Sequence, residues 1–285
     1  MHTPAFSFEL FPPKTPSGVE KLRASVTRLA ALDPLYFSVT YGAGGSTRDR
    51  TFATVEWLRS QGLETAPHIS CVGSTREEIR DLLERYQSLG IRRLVALRGD
   101  LPSGMGMGAT GDFRYANELV AFIRDTTAGH FHIEVAGYPE FHPQAPTATQ
   151  DLHNLRRKVQ AGANAVITQY FYSADAYFWF VESCEDLGID VPIVPGIMPI
   201  TNFSQLARFS DACGAEIPRW LRKRLEALGD NVESIRALGH DVVTTLCRRL
   251  LDEGAPGLHF YTMNQAGPTL RIWHDLGLPA HSRRG

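Results

Sequence analysis

Cysteine is scarce in this chain and badly placed for cross-linking. Cys71, Cys184, Cys213 and Cys247 lie far apart, with no Cys-x-x-Cys pair and no zinc-like spacing. Neither a disulfide framework nor a structural metal is suggested. Long apolar runs are missing too: no stretch reaches the roughly 18 residues that a membrane span needs, and Met1–Glu9 has no basic segment leading into an apolar core. No membrane partner is expected, and a cytoplasmic location is. Long basic blocks are absent and the formal net charge is −2, so the electrostatic footprint of a nucleic-acid binder is lacking and small-molecule partners are favoured. Finally, no linker or low-complexity segment interrupts the 285 residues, which points to one domain over 1–285.

What is present is an alternation of short apolar runs with amphipathic segments. Phe6–Leu10 reads as a strand ending at Phe11-Pro12-Pro13. Ser17-x-x-Glu20 then reads as a capping box before a helix with Leu22, Val26 and Leu29 on one stripe. Tyr36–Tyr41 and Thr65–Cys71 are the next strands. A turn at Gly42–Gly45 and a helix from Ser46 or Thr47 follow the first, and a Ser74-x-x-Glu77 box follows the second. Arg92–Asp100 is a fourth strand, with a helix over about Phe113–Asp125. His132–Tyr138 is a fifth, with a helix from Thr147 or Thr149. Ala165–Tyr172 is a sixth, with Ser173 capping Ala174–Leu187. Pro192–Met198 is followed by helices over Asn202–Cys213, from Pro218, and over Val232–Glu253. Gly257–Asn264 and a short helix over Thr269–Leu276 close the series. Eight strands alternating with helices and never joined by hairpins predict an α/β (β/α)8 TIM barrel with extra helices near its C-terminal end; an open doubly wound sheet is the alternative.

A barrel gathers the carboxyl ends of its strands on one face, so the polar residues there form one candidate site. They are Glu9, Thr40, Tyr41, His68, Arg98, Asp100, Tyr138, Gln169, Tyr261 and Asn264. Glu9 stands among Phe8, Leu10 and Phe11; an inward carboxylate there is partly desolvated, which suits proton donation. Asp100 supplies a second carboxylate as a fixed charge. Asp151, Asn154 and Lys158 share a helix face, with Arg157 beside them. The proline-braced loop from Tyr138 to Pro143 brings Tyr138 and His142 over the same rim, which makes a phosphate- and ribose-binding surface. Gly106-x-Gly108-x-x-Gly111 has dinucleotide-fingerprint spacing but begins several residues past its strand, so it reads as a loop. Arg219, Arg222, Lys223 and Arg224 read as a solvated basic helix face.

Several motifs together carry a resemblance. They are Phe8-Glu9-Leu10-Phe11-Pro12-Pro13, Val39-Thr40-Tyr41-Gly42-Ala43, Ala66-Pro67-His68 and Ala96-Leu97-Arg98-Gly99-Asp100-Leu101-Pro102. With them go Ala163-Asn164-x-x-Ile167-Thr168-Gln169, Pro195-Gly196-Ile197-Met198-Pro199 and His259-Phe260-Tyr261-Thr262-Met263-Asn264. Over nearly its whole length the chain resembles the methylenetetrahydrofolate reductases in their short bacterial form. The resemblance implies FAD in the barrel mouth, NADH or NADPH as hydride donor, and ping-pong reduction of 5,10-methylenetetrahydrofolate to 5-methyltetrahydrofolate, in one-carbon metabolism and methionine supply. By that likeness Glu9 is the general acid, and Asp100 is the carboxylate near both flavin and pterin. Tyr41, Ala43, His68, Arg98, Gly99, Ala116, Tyr138, His142, Ala145, Asp151, Asn154, Arg157 and Lys158 match FAD-binding positions. Thr40 and Gln169 match nicotinamide contacts, and Gln169 and Gln205 match folate contacts.

One position departs from the family pattern: Gln265 stands where bacterial relatives carry an Arg that touches the folate. The length leaves no room for the regulatory domain of eukaryotic members, so no allosteric site is expected, and a homo-oligomer is. Two other readings remain open. One is a flavin-free aldolase using Lys158 as a Schiff-base amine, although Lys158 falls on a helix and not at a strand end. The other is a non-catalytic protein that keeps the fold.

Overall fold

A computed structural model describes residues 4–41, 48–99 and 111–279. The elements run β1 (Ala5–Leu10), α1 (Pro16–Ala30), β2 (Tyr36–Val39), α2 (Arg48–Ser60), β3 (Thr65–Ser70), α3 (Arg76–Ser88), β4 (Arg93–Leu97) and α4 (Ala116–Thr127). They continue as β5 (His132–Gly137), α5 (Ala148–Gln160), β6 (Ala165–Thr168), α6 (Ala174–Asp186), β7 (Ile193–Val194), β8 (Gly196–Ile197), α7 (Phe203–Cys213), α8 (Arg219–Ala227), α9 (Val232–Asp252), β9 (Gly257–Tyr261) and α10 (Ala266–Asp275). All the described strands are parallel and lie in the order β7-β6-β5-β4-β3-β2-β1-β9-β8.

The two ends of that order are the two halves of one stave. Where the sequence predicts a single strand over Pro192–Met198, the structure breaks it at Pro195, which has no N–H to give a ladder. Before the break β7 pairs with β6, and after it β8 pairs with β9. The Pro195 carbonyl itself accepts from His259 N at 3.0 Å. This switch of partner closes the eight-stave TIM barrel and rules out the open sheet. Gly196 is needed at the corner: a Cβ there would lie 2.1 Å from the Thr168 carbonyl oxygen and 2.6 Å from the Tyr261 ring.

Helix starts shift slightly from the predicted caps. Thr15, and not Ser17, caps α1, accepting from Gly18 N at 3.1 Å, because Pro16 suits the first helical turn, where its missing N–H costs nothing. The box before α3 is Thr75 with Glu78, one residue past Ser74 with Glu77; Thr75 Oγ1 accepts from Glu78 N, and Glu78 Oε2 accepts from Thr75 N. Both pairs have the spacing, so sequence does not separate them. Thr147, one of the two predicted starts, caps α5, and Asn202, predicted as the first residue of its helix, caps α7, whereas Ser173 precedes α6 without a side-chain hydrogen bond. The α4 helix begins at Ala116, later than predicted, because the Glu118 carboxylate turns back to accept from Arg114 N at 2.7 Å. The predicted turn at 42–45, the start of the next helix at Ser46 or Thr47, and Gly106 and Gly108 lie outside the described residues.

Strand alternation divides the side chains between two compartments. Phe8, Leu10, Phe37, Val39, Ile69, Leu94, Ile133, Val135, Leu258 and Phe260 are buried in the main core with Leu22, Val26, Leu29, Leu58 and Leu82 of the surrounding helices. Each such side chain contributes about 1.5–3 kcal/mol by leaving water. Inside the barrel the apolar cluster is small, only Tyr36, Ala66, Val95 and Ile167 with Leu97 packed on it. The remaining interior positions are free to carry polar groups, and that places the site. No helix among the described residues is long and apolar enough to cross a membrane.

Candidate active site at the barrel mouth

A cavity of about 410 Å³ opens where the strands end. Its walls include Glu9, Thr40, Tyr41, His68, Tyr138, Gln169 and Tyr261, all among the strand-end residues expected from sequence. Val95, Leu97, Ala136 and Ile167 add apolar surface, and Tyr170, Met198, Phe209, Ala212 and Cys213 complete the lining. An apolar slot with a few convergent polar groups is the usual form of a cofactor or substrate site.

Among the described residues, Glu9 is the only carboxylate on that wall. Its Oε2 stands 3.4 Å from His68 Nε2 and 3.7 Å from His259 Nε2. Both imidazole nitrogens are buried and have no hydrogen-bond partner among the described residues. Burial pushes the His68 pKa down to about 4; the Glu9 charge opposes this and His259 adds to it. His68 is therefore neutral at pH 7 and does not form an ion pair with Glu9.

The far wall was not legible from strand ends because α7 supplies it. Tyr170, just past β6, ties that helix down through its hydroxyl, 3.1 Å from Ser210 Oγ, and packs edge-on to Tyr261. Tyr261 in turn donates to the Thr168 carbonyl at 2.7 Å, which fixes its ring at the mouth. His259 is not a strand-end residue, and only inward alternation from Tyr261 along β9 signals that it faces Glu9.

Beside the mouth, the β5–α5 loop is built as expected. The Tyr138 and His142 rings meet edge-on with centroids 4.6 Å apart, and Asp151 Oδ2 accepts from His142 N at 2.9 Å. Asn154 Oδ1 accepts from Arg157 at 3.1 Å and from Gln150 at 3.2 Å. Arg98 donates to Gln144 Oε1 of the same loop, and Ala145 N closes a turn onto the His142 carbonyl at 2.8 Å. Lys158 donates to the Ala136 carbonyl on β5, and desolvation lowers its pKa to about 8. The α5 row is thus engaged with the loop and the sheet and is not simply a solvated face. Gly99 has φ +83°, and a Cβ there would lie 1.7 Å from Ser70 Oγ, so the turn after β4 requires glycine.

Other sequence-selected residues are placed apart. Asn264 does not line the cavity: its amide accepts from Phe11 N at 3.0 Å and donates to Phe11 O at 2.9 Å, clamping the end of β1. Gln205 lies in the first turn of α7, Ala116 opens α4, and Gln265 is exposed at the N-cap of α10; none is on the cavity wall. Ala43 and Asp100 lie outside the described residues. Arg219, Lys223 and Arg224 are exposed on α8, as expected.

Comparison with known proteins follows the same line. Residues 1–277 match the family model described as Methylenetetrahydrofolate reductase. The chain is 42% identical over 273 residues to the 5,10-methylenetetrahydrofolate reductase of Escherichia coli (strain K12), covering 95% of this chain and 90% of that protein. It is 40% identical over 291 residues to methylenetetrahydrofolate reductase (NADH) 1 of Arabidopsis thaliana, covering 98% of this chain and 49% of the plant protein. Among solved structures, an uncharacterized Clostridium thermocellum protein that binds two copies of 5-methyl-5,6,7,8-tetrahydrofolic acid superposes with a TM-score of 0.68 at 17% identity, over 96% of this chain and 94% of that one. At that identity the likeness is one of fold.

Proposed function

Since this chain belongs to the methylenetetrahydrofolate reductase family, we propose that it reduces 5,10-methylenetetrahydrofolate to 5-methyltetrahydrofolate through a bound FAD, with NADH or NADPH as donor and in ping-pong order. The observation that carries this reading is the cavity at the strand ends, where one carboxylate, Glu9, faces an apolar slot edged by Gln169, Thr40 and His68.

The residues present fit a flavin. The apolar patch of Val95, Leu97, Ala136 and Ile167 suits a flat ring system, and the buried, unpartnered Nε2 of His68 lies at its edge. The polar run of Arg98, His142, Asn154, Arg157 and Lys158 suits a sugar and diphosphate. Tyr41, Gly99, Ala116, Tyr138, Ala145 and Asp151, with Ala43 and Asp100, complete the proposed cradle. When bound, FAD supplies a redox centre that takes up a hydride from the nicotinamide and gives it to the folate.

The chain's own groups do the rest. Glu9 holds a proton on its carboxyl oxygen and delivers it to a folate nitrogen as the methylene bridge opens. Thr40 and Gln169 present hydrogen-bonding groups to the nicotinamide carboxamide, and Gln169 with Gln205 does so to the folate after the first product leaves. By the family likeness, the Asp100 carboxylate would lie near a bound flavin, where its charge would oppose the anionic reduced form and favour hydride donation. The aromatic walls of Tyr138, Tyr170 and Tyr261 would exclude water once ligands fill the open cavity. On this reading residues 1–285 are one catalytic domain, acting in the cytoplasm as a homo-oligomer.

Denaturing the purified protein should release FAD, identified by mass, from a yellow holoenzyme. Stopped-flow mixing should then show the bound flavin bleached by NADH or NADPH and recoloured by methylenetetrahydrofolate. A colourless protein that fails to take up added FAD refutes the reading.

A further inference from the structure

The barrel interior below the mouth carries a column of polar side chains where apolar layers are usual. Ladder register sets its first level: Ser7 on β1 is the partner of Tyr36 on β2 and of His259 on β9, and alternation turns all three inward. Ser7 Oγ is 2.7 Å from His259 Nδ1, and ladder pairing sets Tyr36 beside Ser7 at the same interior level. Tyr36 in turn donates to Glu134 Oε2 on β5. Glu134 is 3% exposed, and its Oε1 meets Arg93 Nη1 at 3.2 Å and His132 Nε2 at 3.7 Å.

The two ends of this column face opposite ends of the barrel. Arg93 and His132 are the first residues of β4 and β5, and the His132 side chain is 36% exposed. At the other end, His259 Nε2 is buried, has no hydrogen-bond partner among the described residues, and points at Glu9 Oε2 from 3.7 Å. That gap is just beyond hydrogen-bond range, so a small rotation of the Glu9 side chain closes it. Buried polar groups are costly unless they are paired, and four of them, Glu134, Tyr36, Ser7 and His259, follow one another inside this barrel. Burial raises the pKa of Glu134, which eases its holding a proton.

We propose that this column is a proton path that reloads Glu9 from the amino-terminal face of the barrel while ligands cover its mouth. The proposal rests on Glu9 being the acid of the folate step. Glu134 takes a proton from water at the Arg93–His132 end. Once Glu134 is protonated, the Tyr36 hydroxyl turns from Glu134 toward Ser7, and the Glu134 proton passes to the Tyr36 oxygen as the Tyr36 O–H proton moves to Ser7 Oγ. The Ser7 proton moves to His259 Nδ1, and the His259 Nε2 proton moves to the Glu9 carboxylate. Each O–H or N–H bond broken is replaced on the next group, so one proton reaches Glu9 and none accumulates. Rotation of the two hydroxyls and tautomer exchange of His259 restore the column. His68 lies outside the line: it touches Glu9 but connects to none of the groups below.

The test compares one turnover with many, in holoenzyme carrying Ser7→Ala or Tyr36→Phe. With pre-reduced flavin, the first reoxidation by methylenetetrahydrofolate uses a Glu9 already loaded and should stay within about twofold of wild type. Steady-state kcat should fall by about tenfold or more as reloading becomes limiting, with a larger solvent deuterium isotope effect. Should Tyr36→Phe fail to fold, because Glu134 loses its partner, Ser7→Ala carries the same comparison. A first turnover that falls in parallel with kcat would overturn the path and leave the column as a brace for Glu9; an unchanged kcat overturns it as well. Glu9→Gln is run alongside: if its first folate turnover is intact, Glu9 is not the acid and the path fails with that assignment, which separates the two failures.

Discussion

Glu9 Oε2 and His68 Nε2 stand 3.4 Å apart across the barrel, one on β1 and the other on β3, with β2 between them. The contact is made by inward alternation on two staves separated by β2, so it depends on the curvature of the sheet and not on any local motif. Because His68 is buried and neutral at pH 7, it lies against the carboxyl without cancelling its charge. An acid that must give up a proton and regain it is better served by such a neighbour than by a fixed cation.

Glu9→Gln should therefore separate the two half-reactions. Hydride transfer from nicotinamide to flavin needs no protonation of a folate nitrogen, so flavin reduction should keep its rate. Reoxidation by methylenetetrahydrofolate should slow by at least about 10²-fold, the usual contribution of a general acid. Equal loss in both halves would mean that Glu9 holds the flavin or the fold.

Stability should fall on both sides of a maximum in mildly acidic solution, for reasons of opposite sign. His68 and His132 have pKa values near 4 in the folded protein, both lowered chiefly by burial. Below about pH 6.5 the unfolded chain binds more protons than the folded one, so stability is lost as pH drops toward 4. Glu140 is the reverse case. Burial raises it to about 7 although it accepts from Glu216 N at 2.6 Å, so its contribution is complete below its unfolded value and is lost as pH rises through 7. Melting temperature measured from pH 4 to 8 should show both limbs. Glu140→Gln should flatten the upper limb alone, and an unchanged upper limb would contradict the assignment.

Gly196→Ala tests how the barrel closes. The new methyl meets the Thr168 carbonyl and the Tyr261 ring, and backbone cannot swing aside as a long side chain can. Overpacking of this kind costs about 1–3 kcal/mol, and here it also displaces a residue of the cavity wall. Both the melting temperature and flavin retention should fall. Ala at Gly267, where a Cβ meets nothing within 4 Å, serves as the control.

Gln265→Arg tests recognition of the folate tail. Gln265 is exposed at the N-cap of α10, so a cation there would be solvated and would also face the positive end of a helix. The gain should be modest: a folate KM lower by about three- to tenfold, or roughly 0.6–1.4 kcal/mol, shrinking as salt rises, with the nicotinamide half-reaction unchanged. A KM that does not move would show that position 265 does not meet the folate.

Read alone, the sequence determined the alternation of strands and helices, hence the barrel, because apolar periodicity and caps are local properties of the chain. It also determined which residues end each strand, and so brought Glu9, His68, Tyr138, Gln169 and Tyr261 to one face. Only the tertiary structure decided what stands opposite each of them. Asn264 has the same strand-end signal as Tyr261, yet it is taken up by the Phe11 backbone. Phe209, Ala212 and Cys213 have no such signal, yet α7 brings them to the cavity. Pro195, inside a predicted strand, turns out to be where the barrel changes partner and closes. The period of a strand says which way a side chain points, but the residue it meets is set by ladder register and by packing between elements more than a hundred residues apart, as for Ser7 and His259.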